Sequence, residues 1–185
     1  MSRFGYVIVT VLVAELFAGL FALVAWLQPQ PRLIWNASAS VPVGLYRIND
    51  VDNPPVGTLV VVTPPDRLAH WLSKRGYLPD GVPLLKYVAA KTGQQVCRTG
   101  NALSIDGRPV ATARSHDSQG RALPSWQGCR KLASGEIFLL NPSVADSVDG
   151  RYFGVFPASA LLGRAIPILT RETAQAPLQW RGIGS

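Results

Sequence analysis

Two cysteines, two histidines and a single methionine are all that this 185-residue chain has of the side chains that most often hold metals or carry redox chemistry. Two cysteines alone cannot complete a zinc site, and His70 and His116 are not spaced as ligands beside Cys97 and Cys129. No metal and no other cofactor is therefore expected. Acidic residues are scarce too, eleven against eighteen lysines and arginines, which leaves a net charge of +7. The basic residues form no run, are not interleaved with aromatics and follow no finger spacing, so nucleic acid is not an expected partner. A basic surface of this kind suits anionic lipid headgroups equally well. The chain also has no glycine-rich phosphate loop and no internal repeat. What it has in quantity is turn-forming residues, fifteen prolines and seventeen glycines, which favour short strands over long helices.

Hydrophobic residues make up 48% of the chain, enough for one globular domain and one membrane span. Residues 6–27 carry one charge, Glu15, and as a helix would reach about 33 Å against a hydrocarbon core of about 30 Å. The exit Trp26-Leu27-Gln28-Pro29 lacks the small-X-small pattern of a cleavage site, so an uncleaved anchor is expected. Arg3 favours an inside start, although Arg32 on the far side weakens that bias. Glu15 near mid-bilayer is either functional or a neutral or interhelical carboxyl. The expected organisation is an anchor over 1–32, a mostly-β domain over 33–170 and a loose tail over 171–185.

The domain is organised around residues 35–48, WNASASVPVGLYRI. Ser38 and Ser40 precede Pro42 and Gly44, and the residue before a proline is held away from helix, so an extended segment presenting a hydroxyl is expected. A polar linker next to the membrane is the plainer alternative. Residues 57–63 (GTLVVVT) read as a buried strand, and residues 67–75 as a short helix capped by Asp66 and stopped by Gly76. Leu68, Trp71 and Leu72 form its packing face. Residues 136–140, 151–156 and 161–169 read as further strands. A small β insert is expected over about 95–131, with a hairpin turn at Asp106-Gly107. If the domain lies outside the cytoplasm, Cys97 and Cys129 pair as a disulfide; otherwise they are two reduced thiols.

In residues 83–90, PLLKYVAA, a lysine interrupts an apolar strand and shares its face with Leu84 and Val88. Burial disfavours the ammonium form, so Lys86 is either a neutral base or a lysine whose head reaches water. A neutral lysine can take a serine proton, which makes Ser40 and Lys86 a candidate dyad. A triad using His70 or His116 with a nearby aspartate is the competing arrangement.

These residues resemble a known family. The anchor, Asn36 to Tyr46, Gly57-Thr-Leu-Val-Val-Val, Leu85-Lys86-Tyr-Val, the two cysteines, Gly135 to Asn141 and Ser147 to Gly154 follow one another in the order found in bacterial type I signal peptidases, the Ser/Lys proteases of the S26 type. The likeness is strongest to the conjugative-transfer branch called TraF. It implies a signal-peptidase-like β-barrel or sheet domain with Ser40 as nucleophile and Lys86 as general base. Ser38 and the Ser40 N–H would form the oxyanion hole, Ser147 would orient the lysine, and Asp149 and Arg151 would form a supporting buried pair. A turn-closing ion pair without catalytic effect is the alternative for that pair.

Val41-Pro42 directly after the nucleophile, Leu140-Asn141-Pro142 in place of a glycine-aspartate-asparagine box and the short insert depart from housekeeping enzymes and favour the TraF branch. The implied activity is cleavage of an exported precursor, foremost a conjugative pilin, with cyclisation of the product also open. A general leader peptidase and a non-enzymatic anchored β module are the alternatives. The implied setting is the inner membrane, with its lipid and a conjugative apparatus as partners and the domain on the periplasmic side.

Overall fold

Apolar runs bounded by proline and glycine fold into short strands, as their length and punctuation require. The structure, a computed structural model, describes residues 3–27, 32–173 and 175–182. The exit from the anchor at residues 28–31 lies outside them. Two compact units result, Met1–Pro31 and Arg32–Ser185. The first is helix α1, Arg3–Leu27, which is long and apolar enough to cross a membrane. The helix begins three residues before the expected apolar run.

The second unit is mostly β. Strands β1 (Leu33–Asn36), β2 (Val43–Asn49), β3 (Leu59–Val62) and β4 (Leu84–Lys91) precede the insert. The insert holds β5 (Gln95–Thr99), β6 (Ala102–Ile105), β7 (Arg108–Thr112) and β8 (Gly128–Lys131). After it come β9 (Glu136–Leu140), β10 (Phe156–Pro157), β11 (Leu161–Arg171) and β12 (Gln179–Trp180). One sheet runs β1-β2-β11-β3-β4-β9-β10, with β12 added to β11; the other runs β7-β6-β5-β8. All pairs are antiparallel.

Helix α2 (Asp66–Lys74) packs Leu68 and Leu72 against Val60, Val62, Val88 and Leu139. Asp66 is its first helical residue and not its cap, because Pro65 enters the helix with a preset φ of −54° and no side chain to accept a bond. The insert packs Val96, Leu103 and Ile105 against Phe138, Leu140 and Tyr152. Its hairpin turns where expected, with φ of 49° at Asp106 and 77° at Gly107, the signs a type I′ turn needs. Cys97 and Cys129 are directly paired across β5 and β8 and joined as a disulfide. Cysteines 32 positions apart close a loop whose chain-entropy value is about 3–4 kcal/mol. Reduction is therefore expected to lower the thermal midpoint by roughly 6–16 °C, measured in melts with and without dithiothreitol.

Besides the cap of α2, three expectations are corrected. Residues 151–156 are not one strand, only Phe156 belonging to β10: Asp149 accepts from the Arg151 N–H and starts a single helical turn, α3 (Gly150–Phe153). Gly150 lets that turn sit tight on β9, since a Cβ there would lie 2.7 Å from the Leu139 carbonyl oxygen. Ser38 and Ser40 lie in a turn between β1 and β2 and not in an extended segment. The tail is not loose throughout: β12 pairs with β11, the Arg181 N–H donates to the Ile168 carbonyl, and the Arg181 side chain meets Thr170 and Glu172.

Candidate active site

The serine turn is held by one residue that carried no role in the sequence. Asn36, at the end of β1 and only 6% exposed, donates its amide to the carbonyls of Ser38 (2.8 Å), Val41 (3.1 Å) and Pro42 (3.1 Å). Its Oδ1 accepts from the Ser38 N–H (3.1 Å) and the Ser38 hydroxyl (2.9 Å). An asparagine two residues before a turn hydroxyl is the sequence signal for such a cradle, since its side chain bonds backbone two positions on. Ser38 Oγ and Ser40 Oγ are 3.0 Å apart. Tyr46 closes the turn by donating its hydroxyl to the Pro42 carbonyl at 2.6 Å. Behind the turn, Gly44 lets β2 approach β11, where a Cβ would lie 2.0 Å from the Leu169 carbonyl oxygen. Its φ of 149° also disfavours any other residue.

Lys86 sits inside β4, paired with Val60 of β3, and is 4% exposed. Its Nζ donates to Ser147 Oγ at 2.8 Å. Burial brings its pKa down from 10.5 to about 8; Asp149 opposes that fall and Arg151 adds to it. Among the described residues no salt bridge reaches Lys86 and no hydrogen bond joins it to Ser40. Ser40 is paired with Ser38, and Lys86 with Ser147.

Ser147 belongs to a loop stapled by a buried ion pair. The Arg151 guanidinium forks onto Asp149, with Nε–Oδ1 and Nη2–Oδ2 both 2.9 Å, and each side chain is at most 1% exposed. Arg151 Nη2 also donates to the carbonyls of Asn141 (3.2 Å) and Val144 (2.7 Å). Asp149 accepts from the Asn141 N–H at 2.9 Å, and the Asn141 amide reaches the Leu85 carbonyl beside Lys86 at 3.3 Å. The pair thus fixes both ends of the segment that offers Ser147 to the lysine. A second arginine with no sequence signal, Arg98 of β5, is 2% exposed and donates Nη1 to the Arg151 carbonyl at 2.6 Å. This contact ties the disulfide-linked insert to the ion pair.

The histidines are placed elsewhere. His70 is exposed on α2, and His116 is exposed with its Nδ1 3.0 Å from Ser115 Oγ. Asp117, the carboxylate next to His116, is occupied by Tyr77 and by Arg121 at 2.7 Å.

Comparison with known proteins gives the family. The family described as "Signal peptidase, peptidase S26" matches residues 3–170. A conjugal transfer protein TraF of Agrobacterium fabrum is 40% identical over 147 residues, covering 73% of this chain and 81% of that protein. A probable conjugal transfer protein TraF of Sinorhizobium fredii is 39% identical over 145 residues, 73% and 76% of the two chains. A plasmid transfer protein TraF of Escherichia coli is 31% identical over 147 residues, 73% and 81%. Among solved structures, a signal peptidase I of Enterococcus faecalis aligns with a TM-score of 0.36 at 17% identity, covering 60% of this chain and 96% of that one. The chain belongs to the S26 signal peptidase family, and its relatives of 31–40% identity are TraF transfer proteins.

Proposed function

We propose that the chain is a membrane-anchored serine endopeptidase that cleaves exported precursors with a Ser40/Lys86 dyad, its domain on the periplasmic side of the inner membrane. One observation carries the reading: a lysine 4% exposed, held by a hydroxyl and brought to about pKa 8, is an amine made ready to accept a proton. Ser40 Oγ attacks the scissile carbonyl and passes its proton to Lys86 Nζ. The Ser40 N–H and the Ser38 hydroxyl hold the oxyanion, a contribution of about 3 kcal/mol for one such donor. The tetrahedral adduct collapses, the C–N bond breaks, and Lys86 returns the proton to the leaving amine. Water or an amine then attacks the acyl carbonyl and gives its proton to Lys86, the C–O bond to Ser40 breaks, and Lys86 returns that proton to Ser40 Oγ.

The names of the TraF relatives support a conjugative setting, and a pilin precursor is the substrate proposed. The test is processing of that precursor when co-expressed with wild type, Ser40→Ala, Lys86→Ala or the His70→Ala/His116→Ala pair. Loss in the first two variants alone, with all proteins accumulating in the membrane, is the expected result. Activity in Lys86→Ala with loss in the histidine pair would overturn the dyad. A linear or cyclic product identifies the acceptor as water or the precursor's own amino terminus.

A further inference from the structure

The hydrogen bonds around Asn36 fix which way the serine hydroxyls point. The Asn36 amide nitrogen faces three carbonyls and its Oδ1 faces the Ser38 N–H. A flipped amide would set N–H against N–H and an oxygen against three oxygens, so the orientation is determined. Oδ1 can only accept, so Ser38 gives its one hydroxyl proton to Asn36. The 3.0 Å contact between Ser38 Oγ and Ser40 Oγ must then be made with the Ser40 proton. In the resting chain Ser40 donates to Ser38, and Ser38 donates to Asn36.

We propose that Asn36 is a positioning residue that sets this relay and keeps Ser38 Oγ as the resting acceptor for the Ser40 proton. The inference rests on the proposed role of Ser40 as nucleophile. Attack needs the Ser40 proton to leave Ser38 for an amine. The oxygen on which charge develops is a stronger acceptor than the neutral Oδ1, and the Ser38 proton swings from Oδ1 to it. Asn36 thereby holds the Ser38 proton in place until the oxyanion forms. No covalent bond of Asn36 changes, and its proton inventory is the same before and after.

Two readouts on the full-length protein in detergent test this. The first is hydrogen exchange over residues 36–42, which reads the turn whatever reaction the chain performs. Asn36→Ala is expected to speed exchange of the Ser38 amide at least tenfold, and Asn36→Asp, which keeps the acceptor and loses the donors, to speed it less. Unchanged exchange in both variants overturns the inference. The second is kcat and KM on a precursor peptide, per site titrated with a serine-reactive phosphonate. Asn36→Ala is expected to lower kcat about ten- to a hundredfold with little change in KM, the scale of a small misplacement of a reacting group. In a Ser38→Ala background the same substitution should cost severalfold less than in wild type, because part of its effect runs through the Ser38 hydroxyl and only the carbonyl bonds of the turn remain to be lost. A lowered melting temperature with unchanged kcat per titrated site, or equal losses in both backgrounds, overturns it. If Ser40→Ala still cleaves, the proposed function fails while the exchange arm still decides whether Asn36 builds the turn.

Discussion

Lys86→Met is expected to yield a protein that is more stable at pH 7 and, with the proposed base removed, does not cleave. The lysine falls from 10.5 to about 8 on folding because burial disfavours its charge. Between those values the unfolded chain binds the proton and the folded chain does not, so stability rises with pH across this window. Below about pH 8 the whole penalty is present, and above about 10.5 it is gone. A fall of this size corresponds to about 3 kcal/mol. Methionine removes that penalty and leaves Ser147 without its partner, a loss of about 1 kcal/mol. The net gain of about 2 kcal/mol raises the thermal midpoint by roughly 4–8 °C. Melts of both proteins at pH 7 and again near pH 10.5 check the sign, since the advantage must shrink at the higher pH. The cleavage rate of wild type, kcat/KM, should climb about tenfold per pH unit up to about 8 and then level off. A less stable Lys86→Met at pH 7, or a profile that levels off near the histidine value of about 6.5, would defeat this account.

Arg151→Met is the most damaging single change expected outside the anchor. It leaves the Asp149 carboxylate buried without its paired guanidinium and strips donors from the Asn141 and Val144 carbonyls. Removing one partner of a buried pair costs about 3–5 kcal/mol, or roughly 6–20 °C in thermal midpoint for a chain of this size. The double variant Asp149→Leu/Arg151→Met is expected to recover part of that loss, because no lone charge remains, but not all of it, because backbone partners are still missing. Denaturation followed by near-ultraviolet circular dichroism reads both. If Arg151→Met melts within 2 °C of wild type, the pair does not hold the loop that carries Ser147.

Much of the framework could be read from the residues. β3, β4 and β9 are continuous apolar runs between breakers, a pattern that survives folding because both faces are buried. The Asp106-Gly107 hairpin followed from local turn chemistry alone. Lys86 stood out because a charge inside such a run has no local explanation. Residues 151–156 misled for a different reason. Their apolar content suits a strand, but the Asp149 carboxylate captures the Arg151 N–H and begins a helical turn, a choice made by a cap and not by periodicity. The serine turn misled in the same way, since Pro42 restricts only the residue before it while Asn36 gathers three carbonyls at once. The pairing of β12 with β11 was illegible because two residues of edge strand carry no pattern of their own. Arg98 could not be found from sequence, because its partner is a main-chain oxygen 53 positions away.

That last contact bears on how relatives could be recombined. Arg98 grips the carbonyl of residue 151 and not its side chain, so the joint does not depend on what that residue is. A chimera that imports a foreign 95–131 segment would keep the joint only if the graft brings a guanidinium at position 98. The 115–122 loop of the segment makes its own contacts, Tyr77 with Asp117, Arg75 with the Ala122 carbonyl and Arg121 with the Arg75 carbonyl, which a graft would also have to supply. Arg98 is one of several joints, beside the packed face of Val96, Leu103 and Ile105 and the Trp126 bond to the Gly150 carbonyl, and it lies one residue from the disulfide.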